Sequence, residues 1–257
     1  MTSDSFRAEE KALFVDSKKR RYLVTLNPEG EFHSHSGFIP HAQVIGAAPG
    51  CVLETTKGMK YIVLRPTLED FVIEMPRGAQ VIYPKDLATM CMIGDIHPGA
   101  RVYETGIGSG ALSMTMLRMG ARITGCELRE DFMNRAKANV RSFLGEGALE
   151  YYDVALGDAY EDVPVGDFDR VMLDLPEPWR VVPRIENSLV PGGLLVAYTP
   201  SITQAVQVRE SLGKGWADHR TLEVLHRTWH IEGMSVRPDH RMVAHTAFLT
   251  VGRYLGA

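Results

Sequence analysis

Glu104-Thr105-Gly106-Ile107-Gly108-Ser109-Gly110-Ala111 is the stretch of this chain that decides its fold. It directly follows a strand-like run, Arg101–Glu104, and directly precedes a helix-like run, Ala111–Met119. Glycines in this context let the backbone approach a ligand and leave helix N-terminal amides free to face it. Gly106, Gly108 and Ala111 also satisfy the relaxed G-x-G-x-x-A pattern of dinucleotide sites. The stretch therefore predicts a nucleotide-type cofactor, but it does not separate NAD from S-adenosylmethionine.

On both sides of this loop, after Tyr83, helix-like and strand-like segments alternate. In chain order we predict helix Asp86–Asp95, strand Arg101–Glu104, helix Ala111–Met119, strand Arg122–Glu127, helix Asp131–Leu144, strand Glu150–Leu156, strand Arg170–Leu175, a helix near Val181–Ser188, strand Gly193–Thr199 and helix Ile202–Leu212. Such alternation predicts an α/β fold with a parallel sheet covered on both faces. Thr221–Ile231 and His245–Tyr254 have no helix between them, so we predict two long antiparallel strands that close one sheet edge.

The first quarter of the chain has a different pattern. Short β-prone runs such as Arg21–Thr25 and Lys60–Leu64 are separated by turn signals, which predicts a small β-domain. Thr67 is suited to cap a short helix over Leu68–Glu74. We therefore expect a β-rich N-terminal domain over residues 1–72 and a second domain over residues 73–257.

Two carboxylates follow the predicted strands after the glycine loop. Glu127 ends the next strand, at the spacing where an acidic side chain accepts hydrogen bonds from ribose hydroxyls. Asp158 follows the third strand, where it is suited to accept a hydrogen bond from an adenine amino group. The alternatives are a solvated strand-end carboxylate for Glu127 and a helix N-cap for Asp158.

The segment Asp174-Leu175-Pro176-Glu177-Pro178-Trp179 follows the apolar run Val171–Leu173. Ligands of open α/β sheets bind at the carboxyl ends of the strands, so Asp174 should face the reaction site. The two prolines stiffen the loop, which suits a rigid platform for a flipped base. Trp179 is suited either to stack on that base or to fill the core.

Five blocks that occur in order along the chain resemble the prokaryotic tRNA (adenine-58-N1)-methyltransferases, and the N-terminal segment Phe32–His41 is also similar to that family. The blocks are Gln80–Asp86, the glycine loop, Asp174–Trp179, Ala197–Gln204, and Arg237–His240 with Ala244–Leu249. The resemblance spans nearly the whole chain.

The resemblance implies a class I methyltransferase fold, S-adenosylmethionine as cofactor, a homotetramer, and methylation of N1 of the T-loop adenine of tRNA. It also implies that residues 1–72 serve RNA contact or oligomerisation and that residues 73–257 form the catalytic domain. It implies that Asp174 contacts the target base and that Tyr83 forms an aromatic wall beside it. The residues that we expect to hold the cofactor are Glu104, Gly106, Gly108, Ser109, Gly110, Ala111, Glu127, Asp158, Asp174 and Gln204, although Gln204 could instead cap its helix.

Composition limits the remaining possibilities. The formal net charge of −4 argues against RNA binding through bulk positive charge, so any RNA surface must be clustered. The run Lys18–Arg21 is one candidate cluster, with solvated strand ends as the alternative. Arg237, His240 and Arg241 form a second, which is suited to approach RNA or a neighbouring subunit. His33, His35 and His41 lack acidic or cysteine partners at ligand spacing, so we expect no metal. No uncharged apolar stretch is long enough to cross a bilayer, which favours a cytoplasmic protein.

The sequence leaves three other functions to be considered. A methyltransferase of the same fold could act on another RNA, a protein or a small molecule. An NAD-dependent dehydrogenase is disfavoured because no Tyr-x-x-x-Lys or His–carboxylate pair for hydride transfer is found. A silent RNA-binding subunit is disfavoured because the glycine loop, Glu127 and Asp174 are all present.

Overall fold

The computed structural model describes residues 4–75, 78 and 80–256. The chain forms two compact units, Met1–Met75 and Pro76–Ala257. The division lies close to the expected boundary after residue 72, and the role of the first unit in RNA contact or oligomerisation stays a prediction.

The first unit is built from antiparallel strands and one capped helix among its described residues. Its main sheet has the order β2-β1-β6-β5, and β3 pairs with β4 in a separate hairpin. Thr67 caps α1 in a capping box with Asp70, as the sequence predicts. Phe14 stacks on Phe32 in the core, with ring centroids 4.4 Å apart. The elements are β1 Lys11–Asp16, β2 Arg21–Thr25, β3 Glu31–Ser34, β4 Gly37–Pro40, β5 Cys51–Glu54, β6 Lys60–Leu64 and α1 Leu68–Glu74.

The second unit contains a mixed sheet, seven-stranded within the described residues, with the order β12-β15-β11-β10-β7-β8-β9. Strands β7 to β11 are parallel, and β15 lies antiparallel between β11 and β12. This order confirms the predicted α/β fold and the antiparallel edge. The elements are α2 Pro84–Ile93, β7 Arg101–Thr105, α3 Ala111–Arg118, β8 Arg122–Glu127, α4 Glu130–Leu144, β9 Tyr152–Leu156, β10 Phe168–Leu173, α5 Val182–Ile185, β11 Leu189–Thr199, α6 Ile202–Ser211, β12 Trp216–Glu223, β13 Trp229–Glu232, β14 Ser235–Pro238 and β15 Phe248–Tyr254.

The predicted long strand over Thr221–Ile231 was wrong. Strand β12 begins earlier, at Trp216, and ends at Glu223, while Trp229–Glu232 forms a separate hairpin with β14. Gly233, with a φ of 55°, makes the turn of that hairpin. The predicted helix near Val181–Ser188 is also shorter, because it consists of α5 preceded by a 3-10 turn.

The strand topology sets the position of the chemistry. β7, β8, β9 and β10 are adjacent parallel strands, so their carboxyl ends meet at one edge of the sheet. The glycine loop, Glu127, the segment after β9 and Asp174 all follow these ends. The predicted residues are thus brought together by topology alone.

Candidate functional site

The glycine loop between β7 and α3 is shaped by a close backbone contact. Gly106 has a φ of 79°, and a Cβ at this position would lie 1.8 Å from the carbonyl oxygen of Asp174. Gly110 has a φ of 81° and forms the N-cap of α3, where an added Cβ would lie 3.1 Å from the Ala136 side chain. Glycine is required at both positions, because a side chain would push the glycine loop away from its neighbours.

Glu127, the last residue of β8, is held from two sides. The backbone N–H of Gly108 donates to one carboxylate oxygen and that of Arg129 to the other, each at 3.0 Å. The side chain is buried. Each oxygen keeps a free lone-pair direction for a ligand hydroxyl, so the geometry suits the predicted ribose contact.

A cavity of about 440 Å³ lies beside these groups, within the usual size range of small-molecule sites. Three predicted carboxylates and two predicted glycines line it. Sequence reasoning did not single out several of the other lining residues, since nothing in their local pattern marks them. The lining residues are Gln80, Thr105, Gly106, Gly108, Cys126, Glu127, Leu128, Arg129, Phe132, Gly157, Asp158, Ala159, Tyr160, Asp174, Leu175 and Pro176.

The turn after β9 supplies a second acceptor. Asp158 is partly buried, and its Oδ1 accepts the backbone N–H of Tyr160 at 2.8 Å. The backbone N–H groups of Glu161 and Asp162 both donate to the Asp158 carbonyl. Asp158 therefore organises its own turn, as the N-cap alternative expects, while its carboxylate also lines the cavity.

Asp174 stands directly after β10. Its backbone N–H donates to the Thr105 carbonyl at 3.0 Å, which joins this loop to the end of β7. Burial raises the pKa of Asp174 to about 7, and the nearby Glu127 carboxylate adds to that rise. Asp174 is thus divided between its charged and neutral forms near neutral pH, which is typical of groups that act in chemistry.

The other predicted residues of the glycine stretch are buried rather than exposed to the cavity. Ser113 donates to the Glu104 carboxylate at 2.7 Å, and burial raises the pKa of Glu104 to about 8. The carbonyl of Ser109 accepts the side-chain amide of Asn139 at 2.9 Å. Gly110 and Ala111 begin α3. Their contribution to the site is to hold the glycine loop against α3 and α4.

Gln204 performs the capping role that the sequence left as an alternative. Its side-chain oxygen accepts the backbone N–H of Ser201 at 3.0 Å, and its amide nitrogen donates to the Pro176 carbonyl at 2.8 Å. Gln204 is not among the residues that line the cavity. Its side chain instead contacts the loop that carries Asp174.

Tyr83 is the N-cap residue of α2 and is half-buried. The first turn of α2, just after Tyr83, is anchored, since Lys85 donates to the buried Asp86 carboxylate at 2.9 Å and Thr246 donates to the same carboxylate at 2.6 Å. Tyr198, at the end of β11, is a neighbour that sequence reasoning gave no role. Burial raises its pKa, and the electrostatic influences of Asp86, Asp174 and Tyr83 add to that rise.

The remaining candidates have ordinary surroundings. In the basic run, Arg20 pairs with Asp16 at 2.6 Å and Arg21 pairs with Asp70. Over the part of the chain that the structure describes, no cluster of His, Cys, Asp and Glu is arranged to hold a metal ion. The same part contains no helix that is both long and apolar enough to span a bilayer.

The lining of the cavity suits a nucleoside ligand that carries positive charge. Glu127 offers carboxylate oxygens to hydroxyl donors, and Asp158 offers one to an amino donor. Leu128 and Ala159 supply apolar surface for a flat ring system. Asp174 provides negative charge near the glycine loop, where a cation is stabilised.

Comparison with known families gives two matches. The family described as tRNA methyltransferase complex GCD14 subunit matches residues 58–247. The family described as TrmI-like N-terminal matches residues 5–53. Together they cover both compact units.

Two relatives align over nearly the whole chain. The tRNA (adenine(58)-N(1))-methyltransferase TrmI of Thermus thermophilus is 37% identical over 245 residues, which are 94% of this chain and 95% of the relative. The Methanocaldococcus jannaschii relative, named for adenine 57 and adenine 58, is 30% identical over 269 residues and covers 94% of each chain.

Two solved structures have the same fold. An S-adenosylmethionine-dependent O-methyltransferase from Thermotoga maritima superposes with a TM-score of 0.93 and 28% identity, covering 100% of this chain and 97% of the other. The tRNA (m1A58) methyltransferase TrmI of Aquifex aeolicus superposes with a TM-score of 0.84 and 27% identity, covering 98% and 100%.

Proposed function

This chain belongs to the family of the tRNA methyltransferase complex GCD14 subunit, and we propose that it methylates N1 of adenine 58 in the T-loop of tRNA, with S-adenosylmethionine as the methyl donor. The observation that carries the proposal is that Asp174 lies beside the glycine loop in a cavity that Glu127 and Asp158 also line. The near full-length similarity to tRNA (adenine(58)-N(1))-methyltransferases supports the same substrate.

The cofactor would be held by groups of this chain whose chemistry matches its parts. Glu127 would accept from the ribose hydroxyls and Asp158 from the adenine amino group, while the backbone of Gly106 and Gly108 lets the donor approach closely. The bound donor supplies an electrophilic methyl group on a positively charged sulfur. The negative charge of Asp174 would favour that cation in the site.

Adenine is methylated at a nitrogen that already carries an available lone pair. No proton has to leave N1 before the new bond forms, so the protein has to align the base more than to deprotonate it. The carboxylate of Asp174 would accept a hydrogen bond from the exocyclic amino group of adenine. The same carboxylate would offset the positive charge that develops on the base as the methyl group arrives.

Tyr83 and Tyr198 are suited to border the target base. Tyr83 is the N-cap residue of α2, and the buried Lys85–Asp86 pair lies in the first turn of that helix. This pair fixes the backbone that carries the Tyr83 ring. Tyr198 is close enough to Asp174 to interact with its charge. An aromatic wall restricts a flipped base to the plane in which the lone pair of N1 meets the methyl group.

A second candidate is methylation of an oxygen, because the similar structure from Thermotoga maritima is described as an O-methyltransferase. A hydroxyl acceptor must lose its proton during transfer, and Asp174 would then act as the base. The product distinguishes the two candidates, because O-methylated nucleosides separate from 1-methyladenosine.

The test is to incubate the protein with S-adenosylmethionine and an unmodified tRNA transcript, then to analyse the digested nucleosides by chromatography and mass spectrometry. We expect 1-methyladenosine at position 58, and primer extension on a transcript with adenines at 57 and 58 would show whether both are modified. Asp174→Ala should reduce the product by at least about 100-fold while the cofactor still binds. Cofactor binding without any methylated tRNA nucleoside would contradict the substrate assignment.

We also propose a homotetramer in the cytoplasm, where tRNA is available. The support for subunit contact is the β13–β14 hairpin, which exposes Trp229, Ile231 and Met234 to solvent. Exposed apolar side chains in such a group mark surfaces of association.

The absence of a metal requirement stays a prediction, which activity in the presence of a chelator would test.

A further inference from the structure

One peptide unit in the Asp174 loop is held at both ends by side chains from different elements. The carbonyl of Pro176 accepts the side-chain amide N–H of Gln204 at 2.8 Å. The N–H of Glu177 donates to the hydroxyl of Tyr160 at 2.9 Å. The two backbone groups belong to the same planar peptide, so the pair of hydrogen bonds fixes the orientation of that plane.

The hydroxyl of Tyr160 is itself fixed in place. The backbone N–H of Tyr160 donates to Asp158, and its ring packs against the hydrophobic core, as do the side chains of Leu175 and Trp179. The guanidinium of Arg180 lies 4.2 Å from the ring centroid and pairs with the Glu177 carboxylate at 2.9 Å. The ring therefore has little freedom, and its hydroxyl forms a fixed acceptor on the cofactor side of the loop.

The amide of Gln204 is fixed by its capping role. Its oxygen accepts from the Ser201 backbone N–H, and its own backbone N–H donates to the Ser201 hydroxyl at 3.2 Å. This capping box determines which end of the amide faces Pro176. The nitrogen is thereby directed at the Pro176 carbonyl from the α6 side.

The held peptide lies just beyond Asp174 in the chain. The backbone N–H of Asp174 is bound to Thr105, so the loop is held before and after Leu175. We propose that Tyr160 and Gln204 are positioning residues that clamp the Pro176–Glu177 peptide and so keep the Asp174 carboxylate aligned with the target base. Tyr160 also ties this alignment to the turn that carries Asp158. The effect that this clamp would have on kcat rests on the proposed function.

Tyr160→Phe removes the hydroxyl and keeps the ring. We expect kcat for tRNA methylation to fall by about 10-fold, because one hydrogen bond that aligns the reacting groups is lost. The dissociation constant for S-adenosylmethionine should change by less than about 3-fold, since the ring still forms the cavity wall. If the variant keeps the kcat of the wild type, or weakens only cofactor binding, the clamp is excluded.

Gln204→Glu tests the other end of the peptide. Glutamate preserves the capping box, so α6 should stay intact, but its carboxylate has no N–H for Pro176. We expect kcat to fall by a similar factor. In the double variant, kcat should fall by less than the product of the two single-variant factors, because both side chains act on one peptide unit. Fully multiplicative losses would contradict the shared mechanism.

A matched control and a readout without turnover complete the design. Tyr151→Phe changes an exposed tyrosine outside the cavity and should leave kcat unchanged.

Hydrogen exchange of the Glu177 amide should become faster in Tyr160→Phe, at an unchanged melting temperature. Faster exchange of this amide would support the clamp even if the wild-type protein methylates no tRNA. An unchanged exchange rate would contradict the clamp.

Discussion

Asp174 changes charge near neutral pH. Its pKa is raised to about 7, so the carboxylate form grows as the pH rises through that value. In the proposed mechanism, only the carboxylate form would accept from the adenine amino group and offset the developing charge. We therefore expect kcat/KM for S-adenosylmethionine, which reports the free enzyme, to rise with pH and reach a plateau above about pH 8.

The control for this profile is Asp174→Asn, which retains the shape of the side chain but does not ionise. Its residual activity should be flat over the same range, after allowance for the stability of the variant. A wild-type profile that is already flat between about pH 5.5 and about pH 8.5 would show that Asp174 is ionised throughout or does not act in the step.

Single residues were predictable from sequence when their place in the topology fixed their role. Glu127 and Asp174 follow strands directly, so a correct strand assignment places both at the same sheet edge. Tyr160 and Tyr198 were not predictable in this way, because their roles depend on contacts with loops distant in sequence. For Gln204 the sequence left cofactor binding and helix capping open, and its hydrogen bonds show the capping role together with a contact to the Asp174 loop.

At the level of elements, α2 depends on a buried ion pair. The side chains of Lys85 and Asp86 are 4% and 0% exposed, and their charged atoms lie 2.9 Å apart. Lys85→Met would leave the Asp86 carboxylate buried without its cation, which costs about 3 to 5 kcal/mol. Urea denaturation should show that loss of stability.

The exposed Lys214 offers the comparison, since Lys214→Met removes a solvated cation and should change stability by less than about 0.5 kcal/mol. Equal stability of the two variants would mean that Asp86 is neutralised or solvated when Lys85 is lost.

The elements between β7 and α6 were largely predictable, because apolar periodicity and strand–helix alternation agree there. The segment after α6 was not, although it is equally β-prone. Strand β12 begins at Trp216 and contains a register shift between Ala217 and Arg220, with a positive φ at Asp218, so the residues before the predicted start form an irregular strand. Gly233 was a local signal for the β13–β14 hairpin, but it lies beyond Ile231 and does not mark the break inside the predicted strand.

For the whole molecule, the testable quantity is the assembly state. We expect size-exclusion chromatography with light scattering to give about four times the chain mass of 28.6 kDa. Ile231→Asp should lower that mass, because it places a charge on the exposed apolar hairpin. Val165→Asp changes another exposed apolar residue, which lies in a loop, and should leave the mass unchanged. A wild-type mass of one chain would contradict the tetramer.

The close approach of Gly106 to the carbonyl of Asp174 has a consequence for chemical inhibition. The backbone of the glycine loop lies so close to the backbone of Asp174 that any side chain at position 106 would collide with that carbonyl. A compound that spans this junction, joining a nucleoside mimic to a purine mimic, would bind where substitution at position 106 is not tolerated. Drug resistance would then have to arise elsewhere in the cavity, at lining residues such as Leu128 or Phe132.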